Sequence, residues 1–353
     1  MRIVVTGATG NIGSAVCRRL VEDDTHQVVG LARRVPEAGS TGVTWRSVDV
    51  TGPDAERALA DAFAGADAVV HLVWGFQPSH RPERLEEVGV GGTRRVLRAV
   101  AAAGVPHLVH LSSVGAYAPQ HDDRRVTEDH PATGVPTSVY SRHKAAAERL
   151  LDEHEAAGLG TVVTRMRPGI VVQRSAASAL LRYGLPGWLP SSLLGHLPVL
   201  PLDRDLAIPV VHADDVADAV ARAVERTAGG PFNLAAEPPL TAADIARAFG
   251  ARLLPVPSGA LRAAVSASWH ARVQPLDPGW IDLAFAVPLL DCGRARTELG
   301  WVPRTSATDA FGEVVAAMVE GASGPTASLR RRTPVGALAD ALRSGPVSRR
   351  EVP

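Results

Sequence analysis

Lys144 is the only lysine among 37 basic residues; every other cation is arginine. It stands four residues after Tyr140 in Tyr140-Ser141-Arg142-His143-Lys144, and on a helix that spacing puts both side chains on one face. Pro136-Thr137 just upstream suits a helix start. A phenol next to a buried ammonium has its ionised form favoured, so its pKa falls toward working pH. Such a pair can move a proton on or off a carbonyl or alcohol oxygen. Arginine could supply the charge, but its planar fork differs in shape. The chain has three tyrosines, Tyr117, Tyr140 and Tyr183, so chance pairing of one with the single lysine is a poor explanation. Ser112-Ser113 ends an expected strand, where a hydroxyl can bond the reacting oxygen. The plain alternative is a serine turn closing the strand.

A second constellation opens the chain. Thr6-Gly7-Ala8-Thr9-Gly10-Asn11-Ile12-Gly13 follows the first apolar run and leads into an amphipathic stretch. Gly7 permits a tight turn, Gly10 lets the backbone approach a pyrophosphate, and Gly13 lets the helix pack close to the sheet. Phosphates then meet the free N–H groups and the positive end of the helix dipole. Between a strand and a helix this triplet is a specific signal for a dinucleotide. An acid about 20 residues past the glycines would bind a ribose 2′-hydroxyl. Here Ala32 is followed by Arg33 and Arg34. Guanidinium groups match a 2′-phosphate in charge and geometry, so NADP(H) is favoured over NAD(H).

These residues need a frame. Runs at 3–6, 27–32, 43–47, 68–73, 107–112 and 161–167 read as strands, with helical patterns at 12–22, 82–103 and 138–157 between them. That alternation predicts an α/β fold, a Rossmann-type doubly wound parallel sheet. Residues 1–174 form the dinucleotide-binding domain, with a return segment at 207–235. A smaller, interleaved C-terminal substrate-binding region takes 175–206 and 236–320, and 321–353 reads as a mobile tail. The leucine- and tryptophan-rich stretch 180–202 suggests a partly apolar pocket.

Composition narrows the field. Hydrophobic residues make up 46 % and charged ones 21 %, and 37 cations balance 37 acids. This excludes a disordered chain and a general drive toward nucleic acid or an anionic membrane. No apolar run is long enough to span a bilayer. Two cysteines, Cys17 and Cys292, exclude a disulfide framework, and the expected location is cytoplasmic. The 12 histidines show no metal-ligand spacing, so no metal is expected, and no G-x-S-x-G elbow is present.

With Ser112-Ser-Val-Gly-Ala-Tyr117, Arg167-Pro168-Gly169, Val211-His-Ala-Asp-Asp-Val-Ala217 and Leu299-Gly-Trp-x-Pro303 added to these motifs, the chain resembles the extended short-chain dehydrogenases/reductases of the NAD-dependent epimerase/dehydratase group. The resemblance runs to about Pro303. It implies that Tyr140 is the acid/base, that Lys144 holds the nicotinamide ribose and lowers the tyrosine pKa, and that Ser113 orients the substrate oxygen. Gly7, Thr9, Gly10, Asn11, Ile12 and Gly13 would form the pyrophosphate turn. Asp49-Val50 would meet the adenine, Leu72-Val73 the adenosine ribose, and Pro168 to Ile170 the nicotinamide. Asp214 and Asp215 would cap the helix that follows them. A homodimer through the helices at 83–103 and 138–157 is also implied.

Three positions depart from the family pattern. Gly89 stands where many relatives carry asparagine, with Gly91 and Gly92 weakening the helix around it. Val73 stands where relatives often have alanine. The stretch Gly169–Arg174 lacks the asparagine of sugar-nucleotide enzymes. The reading is an NADP(H)-dependent oxidoreductase acting on a carbonyl/alcohol pair of a small-molecule substrate. Two alternatives stand beside it. One is a nucleotide-sugar epimerase or dehydratase with recycled cofactor, and the other is a non-catalytic NADP-sensing protein.

Overall fold

The computed structural model describes residues 1–36, 42–75, 81–184, 191–272, 274 and 276–330. The chain begins with β1 (Arg2–Thr6), α1 (Asn11–Val21), β2 (Gln27–Ala32), β3 (Val43–Ser47), α2 (Ala55–Phe63) and β4 (Ala68–His71). Next come α3 (Pro82–Glu86), a π-helical turn at Glu87–Gly91, α4 (Gly92–Ala103), β5 (His107–Leu111), β6 (Arg125–Val126), α5 (Val139–Ala156) and β7 (Val162–Pro168). The second half holds β8 (Ile170–Val172), α6 (Ala177–Gly184), β9 (Val199–Leu202), β10 (Ala207–Ile208), β11 (Val210–His212), α7 (Ala213–Arg226) and β12 (Gly230–Leu234). It closes with β13 (Leu240–Thr241), α8 (Ala242–Ala248), β14 (Arg252–Pro255), α9 (Ser258–His270), α10 (Gly279–Ala286), β15 (Leu289–Leu290), α11 (Gly293–Glu298) and α12 (Ala307–Glu320).

Seven strands form one sheet in the order β12-β7-β5-β4-β1-β2-β3, and every pair in it is parallel. The inner strands are apolar on both faces, as a sheet sandwiched between helices demands: Ile3, Val4 and Val5 of β1 and Val69 and Val70 of β4 are fully buried. One face packs on α1 and α7, through Val16, Leu20, Val216 and Val220. The other packs on α2, α4 and α5, through Leu59, Phe63, Val96 and Leu151. Strand order reverses between β1 and β4. The carboxyl ends of those two strands are where an open α/β sheet leaves a ligand crevice.

A second core lies beyond the sheet, where Ile245 of α8 and Ala310 and Val314 of α12 pack on Leu206 and Val210. The stretch 175–202, ambiguous by sequence between loop and short helices, carries α6, a 3-10 turn at Ser191–His196 and β9 within the described residues. The expected strand around 207–211 splits at Pro209 into β10 and β11. The weak helix expected at 82–103 keeps its path by widening to a π turn through Gly89 and Gly91.

One expectation is corrected. Neither Asp214 nor Asp215 caps α7; His212 does, accepting from the Asp214 N–H, while the Asp214 carboxylate pairs with Arg18. The Asp215 carboxylate instead accepts the backbone N–H groups of Arg304 (2.8 Å) and Thr305 (3.2 Å). Its carbonyl takes the indole N–H of the fully buried Trp301 at 2.8 Å. The aspartate therefore fastens the Leu299-to-Pro303 turn to α7. Of the tail expected to be mobile from Gly321, residues 321–330 are described. Residues 321–330 lie against the body, and Leu329 is buried beside Ala176, in a 3-10 turn at Arg174–Ala176, and Ala179 of α6. The remainder of the tail, including an expected short helix at 335–342, lies outside the described residues.

Candidate active site

The turn after β1 is built as its glycines demand. Gly7 has φ +70°, and a Cβ there would lie 3.0 Å from the backbone of Leu72 and Val73 after β4. A Cβ on Gly13 would come within 2.1 Å of the Gly7 carbonyl oxygen and 2.8 Å of Ala8 Cα, so any side chain there would push α1 off the turn. α1 opens with no side-chain cap and no acid in its first turn. Its leading amides are left to an anion, with the dipole in support. Gly7, Thr9 and Gly10 line a cleft at the strand-order reversal, with Leu72 and Val73 on the β4 side. Arg33, Asp49 and Val50 close its far end. A cradle of small residues, bare amides and one guanidinium fits a dinucleotide phosphate.

Eight of the expected cofactor residues thus share one cleft. Asn11, Ile12, Gly13, Arg34, Pro168 and Ile170 are not among its lining. The Asn11 amide donates to the Val171 carbonyl at 3.0 Å, tying α1 to β8. Ile12, in the first turn of α1, packs against the core, and Gly13 packs on the backbone of Gly7 and Ala8. Of the two arginines after β2, only Arg33 reaches the cleft; Arg34 is exposed beyond it. Asp49 is occupied locally, since its carboxylate accepts the Thr51 N–H and hydroxyl at 2.9 and 2.7 Å.

The proposed chemistry residues meet at the carboxyl end of β5. Ser113 follows the strand in extended conformation, and its Oγ accepts the Gly115 N–H at 3.0 Å. A hydrogen bond also joins the Ser113 hydroxyl to the Tyr140 phenol. Ser138 caps α5 by accepting from the Ser141 N–H, which starts the helix two residues before Tyr140. One turn on, Lys144 is buried, and its Nζ donates to the Leu111 carbonyl at 2.8 Å. The expected depression of the phenol pKa is not found. Burial pushes Tyr140 up to about 12, against the Ser113 bond. Burial likewise brings Lys144 down to about 7, against the charge of Glu148. Desolvation outweighs the pairing, and the ammonium turns to a carbonyl and an indole face.

That indole belongs to Trp74, a residue the motif reading passed over. Lys144 Nζ sits 3.6 Å from its ring centroid, a cation–π distance. Trp74 stands edge-on to Tyr140 at 6.4 Å, and Trp280 of α10 lies against the other side at 5.2 Å. Gly89 makes room for Trp74: a Cβ at Gly89 would lie 3.1 Å from the indole. Where the family resemblance leads one to expect asparagine, glycine leaves the space that the Trp74 ring fills. Two unexpected letters, Trp74 and Gly89, were the available signal.

Beneath the serine and lysine lies a buried charge network. Glu148, one turn beyond Lys144, accepts from the Ser112 hydroxyl at 2.5 Å and from Arg167 at 2.9 and 3.0 Å. Arg165 adds a bond at 3.1 Å. Arg167 also donates to the Tyr117 oxygen at 3.1 Å, while the Tyr117 hydroxyl donates to Asn233 at 2.6 Å. The Arg167 and Tyr117 motifs therefore tie β5, α5, β7 and β12 together below the site.

Comparisons with known proteins agree with this geometry. The model of the NAD dependent epimerase/dehydratase family matches residues 3–235. An uncharacterized protein of Mycobacterium tuberculosis is 28 % identical over 312 residues; these cover 88 % of this chain but 29 % of the relative, so the chain spans under a third of that relative's length. A 2-alkyl-3-oxoalkanoate reductase of Stenotrophomonas maltophilia is 34 % identical over 178 residues, 47 % of this chain and 50 % of the reductase. The solved UDP-glucose-4-epimerase of Stenotrophomonas maltophila, with bound NAD and formylated UDP-arabinopyranose, superposes with a TM-score of 0.68 at 22 % identity. It covers 90 % of this chain and 98 % of its own, which establishes the shared fold.

Proposed function

The chain belongs to the NAD dependent epimerase/dehydratase family, and on that premise we propose that it is an NADP(H)-dependent oxidoreductase of a carbonyl/alcohol pair. The observation that carries the reading is the Ser113–Tyr140–Lys144 set at the end of β5, next to a dinucleotide cleft closed by Arg33. When bound, the reduced dinucleotide supplies the hydride. Tyr140, with its pKa near 12, holds its proton at neutral pH and gives it to the carbonyl oxygen as that oxygen gains charge. Ser113 bonds the same oxygen and fixes its approach. Lys144 stands one helical turn away with its pKa brought down to about 7, and in its protonated form its charge favours the phenolate left behind.

Arg33 supports NADP(H), because the position after β2 that would carry a ribose-binding acid is followed by a guanidinium that lines the cleft beside Asp49. Trp74 and Trp280 flank the phenol with apolar surface, which favours an apolar carbonyl compound over a sugar nucleotide. The resemblance to a 2-alkyl-3-oxoalkanoate reductase points the same way. Both cysteines are buried free thiols, which suits a reducing, cytoplasmic setting. Among the described residues, no helix is long and apolar enough to cross a membrane.

An epimerase recycles its cofactor and has reason to retain it, whereas a reductase must exchange it every turnover. The purified protein is therefore expected to lose dinucleotide on gel filtration and to oxidise added NADPH in the presence of apolar ketones or aldehydes. Tightly retained oxidised cofactor, with no net NADPH consumption on that panel, would instead establish the recycling reading.

A further inference from the structure

Residues 322–330 leave the second core and cross onto the glycine turn. Three contacts hold them there. Thr326 Oγ1 donates to the Thr9 carbonyl at 2.7 Å in a buried bond between residues 317 positions apart. Leu329 is 2 % exposed, seated against Ala176, Ala179 and Leu180. The Ala322 carbonyl accepts both the N–H (3.1 Å) and the hydroxyl (2.7 Å) of Ser178. The segment also closes on itself: Leu329 N–H donates to the Thr326 carbonyl at 3.0 Å and Gly324 N–H to the Leu329 carbonyl at 2.9 Å. Between the two anchors, Ser328 lines the same cleft as Gly7, Thr9 and Gly10. A polar, turn-rich segment gains little from ordering itself, so contacts at both ends that seat a hydroxyl in the cleft call for a reason.

We propose that residues 322–330 form a clasp on the bound dinucleotide, with Thr326 and Leu329 as its anchors and Ser328 as a further cofactor-binding residue. The clasp rests on the dinucleotide reading above and goes beyond it, because it draws the cofactor site from the far end of the chain. Thr9 sits inside the phosphate turn, so fixing its carbonyl holds the turn in its receptive shape. A segment that seats Ser328 in the cleft and is anchored on both sides of it holds a bound cofactor back, so it acts mainly on the rate of exit. Its placement also joins the second core to the phosphate turn, so that movement of one is felt at the other.

The test compares full-length protein with Thr326→Val, Ser328→Ala and Leu329→Ala. Equilibrium titration with NADPH and NADH comes first, followed by stopped-flow release of the bound dinucleotide into excess competitor. Losing a buried hydrogen bond or the leucine anchor is expected to speed release about tenfold, with association changed far less. Ser328→Ala is expected to speed release by a smaller factor, and all three variants should melt as the parent does. Should Leu329→Ala melt early, Thr326→Val, which only exchanges a hydroxyl for a methyl, decides the matter. Parental release rates, or tighter binding in the variants, would overturn the clasp while leaving the dinucleotide reading intact. No binding of either dinucleotide by the parent protein would overturn both.

Discussion

Replacing Tyr140 by phenylalanine is expected to lower kcat by about 10²–10⁴-fold, the range for loss of a positioned general acid. The substitution is structurally mild. The ring keeps its contacts with Trp74 and Trp280, and the hydroxyl's bond to Ser113 is what is lost. Lys144 stays anchored on the Leu111 carbonyl, and the residues lining the phosphate turn are untouched. Dinucleotide affinity and melting temperature should therefore hold while turnover collapses. Steady-state kinetics with the best substrate from the carbonyl panel, together with a titration of the variant, separate the two effects. Full retained turnover would remove Tyr140 from the chemistry.

The second large effect is on stability. Glu148 is almost fully buried and holds Arg165 and Arg167 together with the Ser112 hydroxyl. Burial alone would raise its pKa, but the bonds and charges of Arg167, Ser112 and Arg165 outweigh it and hold the carboxyl below its ordinary 4.5. A carboxylate with a lowered folded-state pKa adds stability above its unfolded value and loses it as pH falls through the folded one. Glu148→Gln should therefore cost about 3 kcal/mol at neutral pH, because two buried guanidinium groups lose their shared counter-charge. The gap between parent and variant should narrow as the pH drops below about 4.5. Urea unfolding at neutral and acid pH measures both. An unchanged midpoint at neutral pH would contradict this role for Glu148, since Asp152 and Glu155 bond Arg165 but leave Arg167 without a carboxylate partner among the described residues.

Much of this was readable in the letters because it follows from local physics. Buried parallel strands need continuous apolar runs, and β1 and β4 supply them. The strand–glycine–helix spacing after Thr6 admits few structures. Lys144 drew attention because arginine replaces lysine everywhere else in the chain. What escaped the letters depends on contacts distant in sequence. Gly89 stood out as a departure, but only the packing shows that the space it leaves is filled by the Trp74 ring. Arg33 and Arg34 are adjacent and alike, and only the direction of the turn after β2 decides which reaches the cleft. The sign of the Tyr140 shift depended on how deeply the phenol and ammonium sink, which spacing does not reveal. Residues 321–330 are polar and turn-rich, so their composition suggested a free tail, whereas one leucine and one threonine fasten them.

The most direct test of the account is a calorimetric titration of the full-length protein with NADPH and with NADH, repeated on Arg33→Ser. The account predicts that NADPH binds more tightly than NADH, and that removing the Arg33 guanidinium erases most of that preference while sparing NADH. Equal or tighter binding of NADH by the parent protein would contradict the 2′-phosphate assignment and move a recycled-cofactor epimerase or dehydratase ahead of the reductase.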